Sequence, residues 1–187
     1  IPVTDAANIT QSIVNSVTEL VQTSTTAENM IGNFKETMKI YRQGKEYYDR
    51  LRNVTHLVRD ARKVQQSILL VGELSDIYVT SYDKMLTDDN FSSAELSAIA
   101  AGYNKLMERG MNSLKDLKEI VNPTDYSMTD KERLDRIDQA HGELTHTRDL
   151  MVYYTRKNIS VSYLRSQRKN DTQRVLDLYG SPDEKYW

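Results

Sequence analysis

Cysteine is absent from this chain. That excludes disulfides, thiolate metal sites and cysteine catalysis. It leaves the compartment open, because a cytosolic protein and a secreted one that avoids thiol chemistry both fit. Proline and glycine are scarce, at 3 and 7 of 187 residues, so few turns are available and most of the chain outside loops and ends must be helical. No apolar run approaches the roughly 18 residues that span a bilayer. The net charge is only −2, so no global field draws the chain to nucleic acid or acidic lipid. No Gly-rich phosphate loop, nucleophile elbow or kinase-like motif is present, and an enzyme reading has no candidate residues.

What is present is a helical period. Between residues 9 and 48 one apolar series reads Ile13, Leu20, Ala27, Phe34, Tyr41 and Tyr48, and a second reads Val17, Ser24, Ile31, Met38 and Lys45. Seven-residue spacing with two core positions, and no alternation every second residue, predicts a long amphipathic helix that lays its stripe against other helices. Thr4 or Asp5 can cap it. At about 1.5 Å per residue a forty-residue helix is roughly 60 Å long, which makes the molecule elongated. Charged residues at 28% and hydrophobic residues at 39% suit the narrow core of such a bundle.

The period continues through Leu51, Val54, Val58, Val64, Ile68, Val71, Leu74 and Tyr78, predicting a second helix over 53–86 after a bend near 46–53. Thr87, Asp88, Asp89 and Asn90 form a turn, since such side chains bond their own backbone. Ser92 and Glu95 make a capping box that opens a third helix, 92–122, with Gly102 and Gly110 placed for close approach of a neighbour. Asn122 and Pro123 end it. Thr129 and Glu132 make another capping box, and a last helix runs over 129–179 on the stripe Leu134, Ile137, His141, Leu144, Met151, Tyr154, Val161 and Leu164, ending at Gly180. Residues 180–187 are a tail. The expected fold is a single all-α domain, 1–187: an elongated bundle of three long helices (two within 5–86, one at 129–179), with helix 92–122 as a shorter appendage.

Chemistry-bearing clusters are weak. His141 and His146 are five apart, which parts the rings around a helix, whereas a zinc helix needs a spacing of four. Asp88, Asp89 and Asn90 lack the spaced oxygens, the Gly and the distal Glu of a calcium loop. Asp135 and Asp138 sit beside Lys131 and Arg133 on a solvated face. No metal and no cofactor is expected. The appendage and its turns are the expected contact surface, with Asp88, Asp89, Asn90, Asp125 and Tyr126 as partner-contact candidates. A basic stretch over 35–63 and an acidic one over 73–95 suit contacts with another subunit or with a second copy of the chain. They also leave open an alternative: a cytoplasmic helical scaffold or nucleic-acid accessory protein using the basic band.

The opening, with Pro2, Val3, Asp5, Asn8 and Gln11, resembles the mature start of the minor-pilin family of conjugative type IV secretion systems. With its Tyr-rich helices and late Leu178–Gly180, the chain is most similar to the Bacteroides conjugative-transposon branch. The resemblance implies a signal peptide removed upstream, a periplasmic or cell-surface home, a long helical bundle with a smaller appendage, and no catalysis. The implied partners are other secretion or pilus subunits and the recipient cell surface, with no nucleic acid. A start at Ile1 fits signal-peptide removal and equally a trimmed boundary; export is the expectation carried forward.

Overall fold

The computed structural model describes residues 59–121 and 128–182. The predicted first helix, the opening segment with Pro2, Val3, Asp5, Asn8 and Gln11, and the loop residues Asp125 and Tyr126 all lie outside the described residues. The described chain holds four helices: α1 (Arg59–Leu86), α2 (Ser93–Val121), α3 (Asp130–Lys169) and α4 (Thr172–Tyr179). No strand occurs among the described residues. The fold is all-α, as the periodicity predicts.

Each long helix buries one stripe. On α1 it is Ile68, Val71, Leu74, Ile77, Tyr78, Tyr82 and Met85; on α2 it is Ile99, Tyr103, Met107, Leu114, Leu117 and Ile120. Steps of three and four keep these side chains on one face. Cross-helix pairs give the topology. Lys63 pairs with Asp138 and Arg148 with Glu73, so α1 and α3 run parallel. Tyr103 meets Thr155, and Ser113 meets Glu143, so α2 runs antiparallel between them. The result is an up-down-up three-helix bundle.

Helix α2 is therefore not an appendage. Its stripe is in the common core because Gly102 and Gly110 let neighbours in. A Cβ on Gly102 would lie 2.5 Å from Tyr154 Cζ, and one on Gly110 would lie 2.7 Å from Leu74 Cδ1. The close approach expected at these glycines is observed.

Both capping boxes in the described chain form. The Ser92 amide donates to Glu95 Oε2 at 2.9 Å and the Glu95 amide returns to Ser92 Oγ at 3.3 Å. Thr129 and Glu132 repeat the arrangement at the start of α3.

The last helix differs from expectation in two ways. It ends at Lys169 rather than running to 179, because Asn170 takes a left-handed conformation, φ 54°. Asn tolerates that region better than most side chains. The Asp171 amide then bonds back to Ser166 at 2.9 Å, and α4 turns onto α3, burying Val175 and Tyr179. Gly180, φ 89°, ends α4 as predicted. The buried stripe also differs: it reads Ile137, Ala140, Leu144, Thr147, Met151, Thr155, Ile159, Ser162 and Ser166. Val161 and Leu164, expected inside, are exposed.

Candidate functional site: a polar knot at the α1–α2 turn

The turn after α1 is built by its own side chain. The amides of Thr87 and Asp88 bond back to Lys84 and Met85, and the Asn90 amide donates to Asp88 Oδ1 at 3.0 Å. This bond to the backbone two residues on is the reason Asp suits the position. It also turns the Asp88 carboxylate inward, toward the end of α3.

Four groups meet that carboxylate. Ser162 Oγ donates to Oδ2 at 2.5 Å and the Tyr179 hydroxyl to the same oxygen at 2.7 Å. The Arg174 guanidinium lies 3.3 and 3.4 Å from Oδ1, beside the Asn90 amide. Burial alone would raise the Asp88 pKa. The hydrogen bonds from Ser162, Tyr179 and the Asn90 amide, with the charge of Arg174, outweigh it and hold the carboxyl below its ordinary value. Burial first, and then the same carboxylate, drive the Tyr179 phenol well above its usual range.

Asn90 is engaged just as fully. Its side-chain amide donates to Ser162 Oγ at 3.0 Å and to the Ser162 carbonyl at 3.3 Å, while its Oδ1 accepts from Lys169 Nζ at 2.8 Å. Arg165 donates to the Asn90 carbonyl at 2.6 Å and clasps Glu95 through both terminal nitrogens, at 2.6 and 3.0 Å. That clasp and the bond from Ser92 pull the Glu95 carboxyl down to about 2. Arg165 also covers the Phe91 ring, 6.0 Å from its centroid.

These contacts decide what the turn can do. Asp88 is 3% exposed and Asn90 5%, so neither presents the surface to a partner that the sequence suggested. Only Asp89 of the three is exposed. Both Asp88 oxygens are occupied by donors, which leaves no carboxylate edge for a cation or a proton-transfer role. No group of three or more His, Asp or Glu that could hold a metal occurs among the described residues. The knot joins the α1–α2 turn, the end of α3 and α4. Sequence reading missed Ser162, Arg165, Lys169, Arg174 and Tyr179; the visible signal was Arg165 and Lys169 four apart on one helix face.

One level into the bundle the knot passes into a tyrosine cluster. Tyr78 stacks on Tyr103 at 4.7 Å and 17°, Tyr154 stands edge-on to Tyr103 at 5.1 Å, and Tyr82 flanks both. Their hydroxyls find internal partners: Tyr103 with Thr155 at 2.6 Å, Tyr82 with the Leu96 carbonyl at 3.0 Å, Tyr154 with the Ile99 carbonyl at 3.1 Å. Tyr78 and Tyr103 are thus buried whole, with burial pushing both phenols upward.

The opposite face of α3 is different. Tyr153, Val161 and Leu164 are the exposed large apolar side chains among the described residues, at 60, 39 and 59%. Lys157 Nζ sits over the Tyr153 ring, 5.4 Å from its centroid. Steps of four, four and three from 153 to 164 put these residues on one stripe.

In comparisons with known proteins, residues 2–34 match the family described as "Domain of unknown function (DUF4141)". No curated protein and no solved structure matches the chain.

Proposed function

We propose that this chain is a non-enzymatic structural or adhesive component of a conjugative type IV secretion apparatus, assisting pilus assembly or recipient contact during DNA transfer. The observation that carries the reading is the opening segment. Pro2, Val3, Asp5, Asn8 and Gln11 lie inside the stretch that matches a family, residues 2–34. The described body supports it: the buried carboxylate at its polar turn is fully engaged by internal donors, and helix faces are what the body offers outward. Such a body works by presenting surfaces to other subunits. Its place of work is the periplasm or the cell surface.

The test is fractionation of donor cells, probing for this chain with and without added protease, together with the transfer frequency of a deletion strain. Periplasmic or protease-sensitive surface location with reduced transfer is the expected result. A cytoplasmic location, or unimpaired transfer, overturns it.

A second reading draws on one observation. Residues 150–169 contain Arg156, Lys157, Arg165, Arg168 and Lys169 and no acid, a basic run of the kind a nucleic-acid accessory protein uses. Arg165 and Lys169 are held by Glu95 and Asn90, which reduces the available charge. DNA affinity that falls steeply with salt would favour this reading; no binding at low salt would remove it.

A further inference from the structure

The outer face of α3 carries an apolar stripe at helical spacing, Tyr153, Val161 and Leu164, with Lys157 laid across the first ring. The same chain carries, in residues 9–48, a heptad stripe that needs a helical partner. We propose that the helix predicted over residues 9–48 docks along this outer face of α3, antiparallel to it, and converts the three-helix bundle into a four-helix one.

Chain geometry supplies the first argument. Helix α1 begins at Arg59, and its pair Lys63–Asp138 sets that end level with α3 near residue 136. The ten residues 49–58 span up to roughly 33 Å when extended, enough to return beside α3. A helix over 9–48 running back from that point matches α3 in length, since each has forty residues, about 60 Å. At equal rise per residue, positions of about 20 to 31 then lie beside 153–164. The stripe residues there are Leu20, Ala27 and Ile31.

Charge supplies the second, independently of reach. Residues 1–34 carry Asp5, Glu19 and Glu28 and no Lys or Arg, whereas residues 150–169 of α3 carry no Asp or Glu and, besides Arg165 and Lys169, which Glu95 and Asn90 already hold, the basic Arg156, Lys157 and Arg168. Residues 35–52 are net basic and residues 130–149 net acidic. The antiparallel arrangement sets each half against its opposite; the parallel one sets acid against acid and base against base. Complementarity of this kind fixes orientation and register more than affinity. The occupant is thus a segment of this chain rather than an unrelated partner.

The absence of native cysteine allows a background-free test on the full chain. Ala27→Cys is combined with Lys157→Cys, predicted to lie at one level, and separately with Asp135→Cys, predicted to lie about 33 Å away along the helix. Each pair is treated with a short homobifunctional maleimide at low protein concentration and read by mass and gel mobility. The expected result is an intramolecular cross-link at 27/157 and at least tenfold less at 27/135. Adding Leu164→Asp, a change at an exposed site, should lower the 27/157 yield several-fold while circular dichroism stays helical. Equal yields for both pairs, or no link at either, overturns the proposal. Links that join two chains and grow with concentration also overturn it, and assign the face to a second copy instead.

Discussion

The Tyr179 hydroxyl stands 2.7 Å from Asp88 Oδ2, a hydrogen bond across 91 residues of sequence. It ties the last residue of α4 to the turn that follows α1. Replacing Asp88 by Ala strands the Ser162 and Tyr179 hydroxyl donors and leaves Arg174 with Asp171 as its remaining ion pair, and should destabilise the fold by about 1–3 kcal/mol for each stranded group. Tyr179→Phe should cost about 1–3 kcal/mol. In urea denaturation the double variant should lose less than the sum of the two, because both changes remove the same bond. Strict additivity would show that the bond does not couple the two elements.

Acid should weaken the knot in a defined direction. Asp88 is held below its ordinary value of 3.8. Its contribution is fully present above that value and is lost as pH falls through the lower folded one. Glu95, drawn down to about 2, has the same sign. Burial and the nearby Lys63 lower the His141 imidazole, so a first decline in the denaturation midpoint should begin below its ordinary value of 6.5, and the loss from the two carboxylates should follow below about pH 4. Asp88→Asn should start lower and show a shallower acid decline.

At the alkaline end the sign reverses. Tyr78, Tyr103 and Tyr179 are all raised above the ordinary tyrosine value of 10.0. An acid whose folded value is raised stabilises below the unfolded value and loses that contribution as pH climbs past it. Unfolding and tyrosinate absorbance should rise together above pH 10.0.

Two glycine replacements should move stability in opposite directions. Gly142 has no heavy atom within 4 Å of an added Cβ, so Gly142→Ala should stabilise by up to about 1 kcal/mol through helix propensity. Gly102→Ala places a methyl group 2.2 Å from the Tyr154 hydroxyl, which is bonded to the Ile99 carbonyl. It should cost about 1–3 kcal/mol despite the same propensity gain. Thermal melts of the pair decide this, and a stabilised Gly102→Ala would show that the Tyr154 ring is free to move.

Asp88 and Asp89 should separate fold from contact. Asp89→Lys is a surface change and should alter stability by less than about 0.5 kcal/mol, while lowering conjugative transfer if that end of the bundle meets a partner. Asp88→Lys should unfold the turn. Transfer at the normal level in a folded Asp89→Lys strain would discard the turn as a contact.

The parts of this architecture legible in the sequence were those with a local cause. Ser92/Glu95 and Thr129/Glu132 mark helix starts because the capping bonds lie within four residues. Asn90 and its neighbours mark a turn for the same reason, and Gly180 marks an end. What was illegible depended on partners far along the chain. Thr147, Thr155, Ser162 and Ser166 occupy core positions of α3 yet carry no hydrophobic signal. Two of them are there because Tyr103 and Asp88 need hydroxyl partners. Val161 and Leu164 look like core by composition and are displaced from it by that register. Asp88 and Asn90 look like a polar surface turn; only the arrival of α3 and α4 buries them. The break at Asn170 did have a local mark that the longer apolar stripe outweighed, an Asn directly after the basic pair Arg168 and Lys169.

The knot also has a mechanical meaning. A pull on the chain beyond Gly180 would ordinarily peel α4 from α3 one contact at a time. Here Tyr179 and Arg174 are anchored to Asp88, so the load passes at once to the α1–α2 turn and is shared by helices on both sides of it. Because α1 and α3 run in the same direction and are joined at this end, a load between it and Arg59, at the opposite end of α1, shears the bundle along its axis instead of unzipping it. A body loaded in shear gives way only when many contacts fail together.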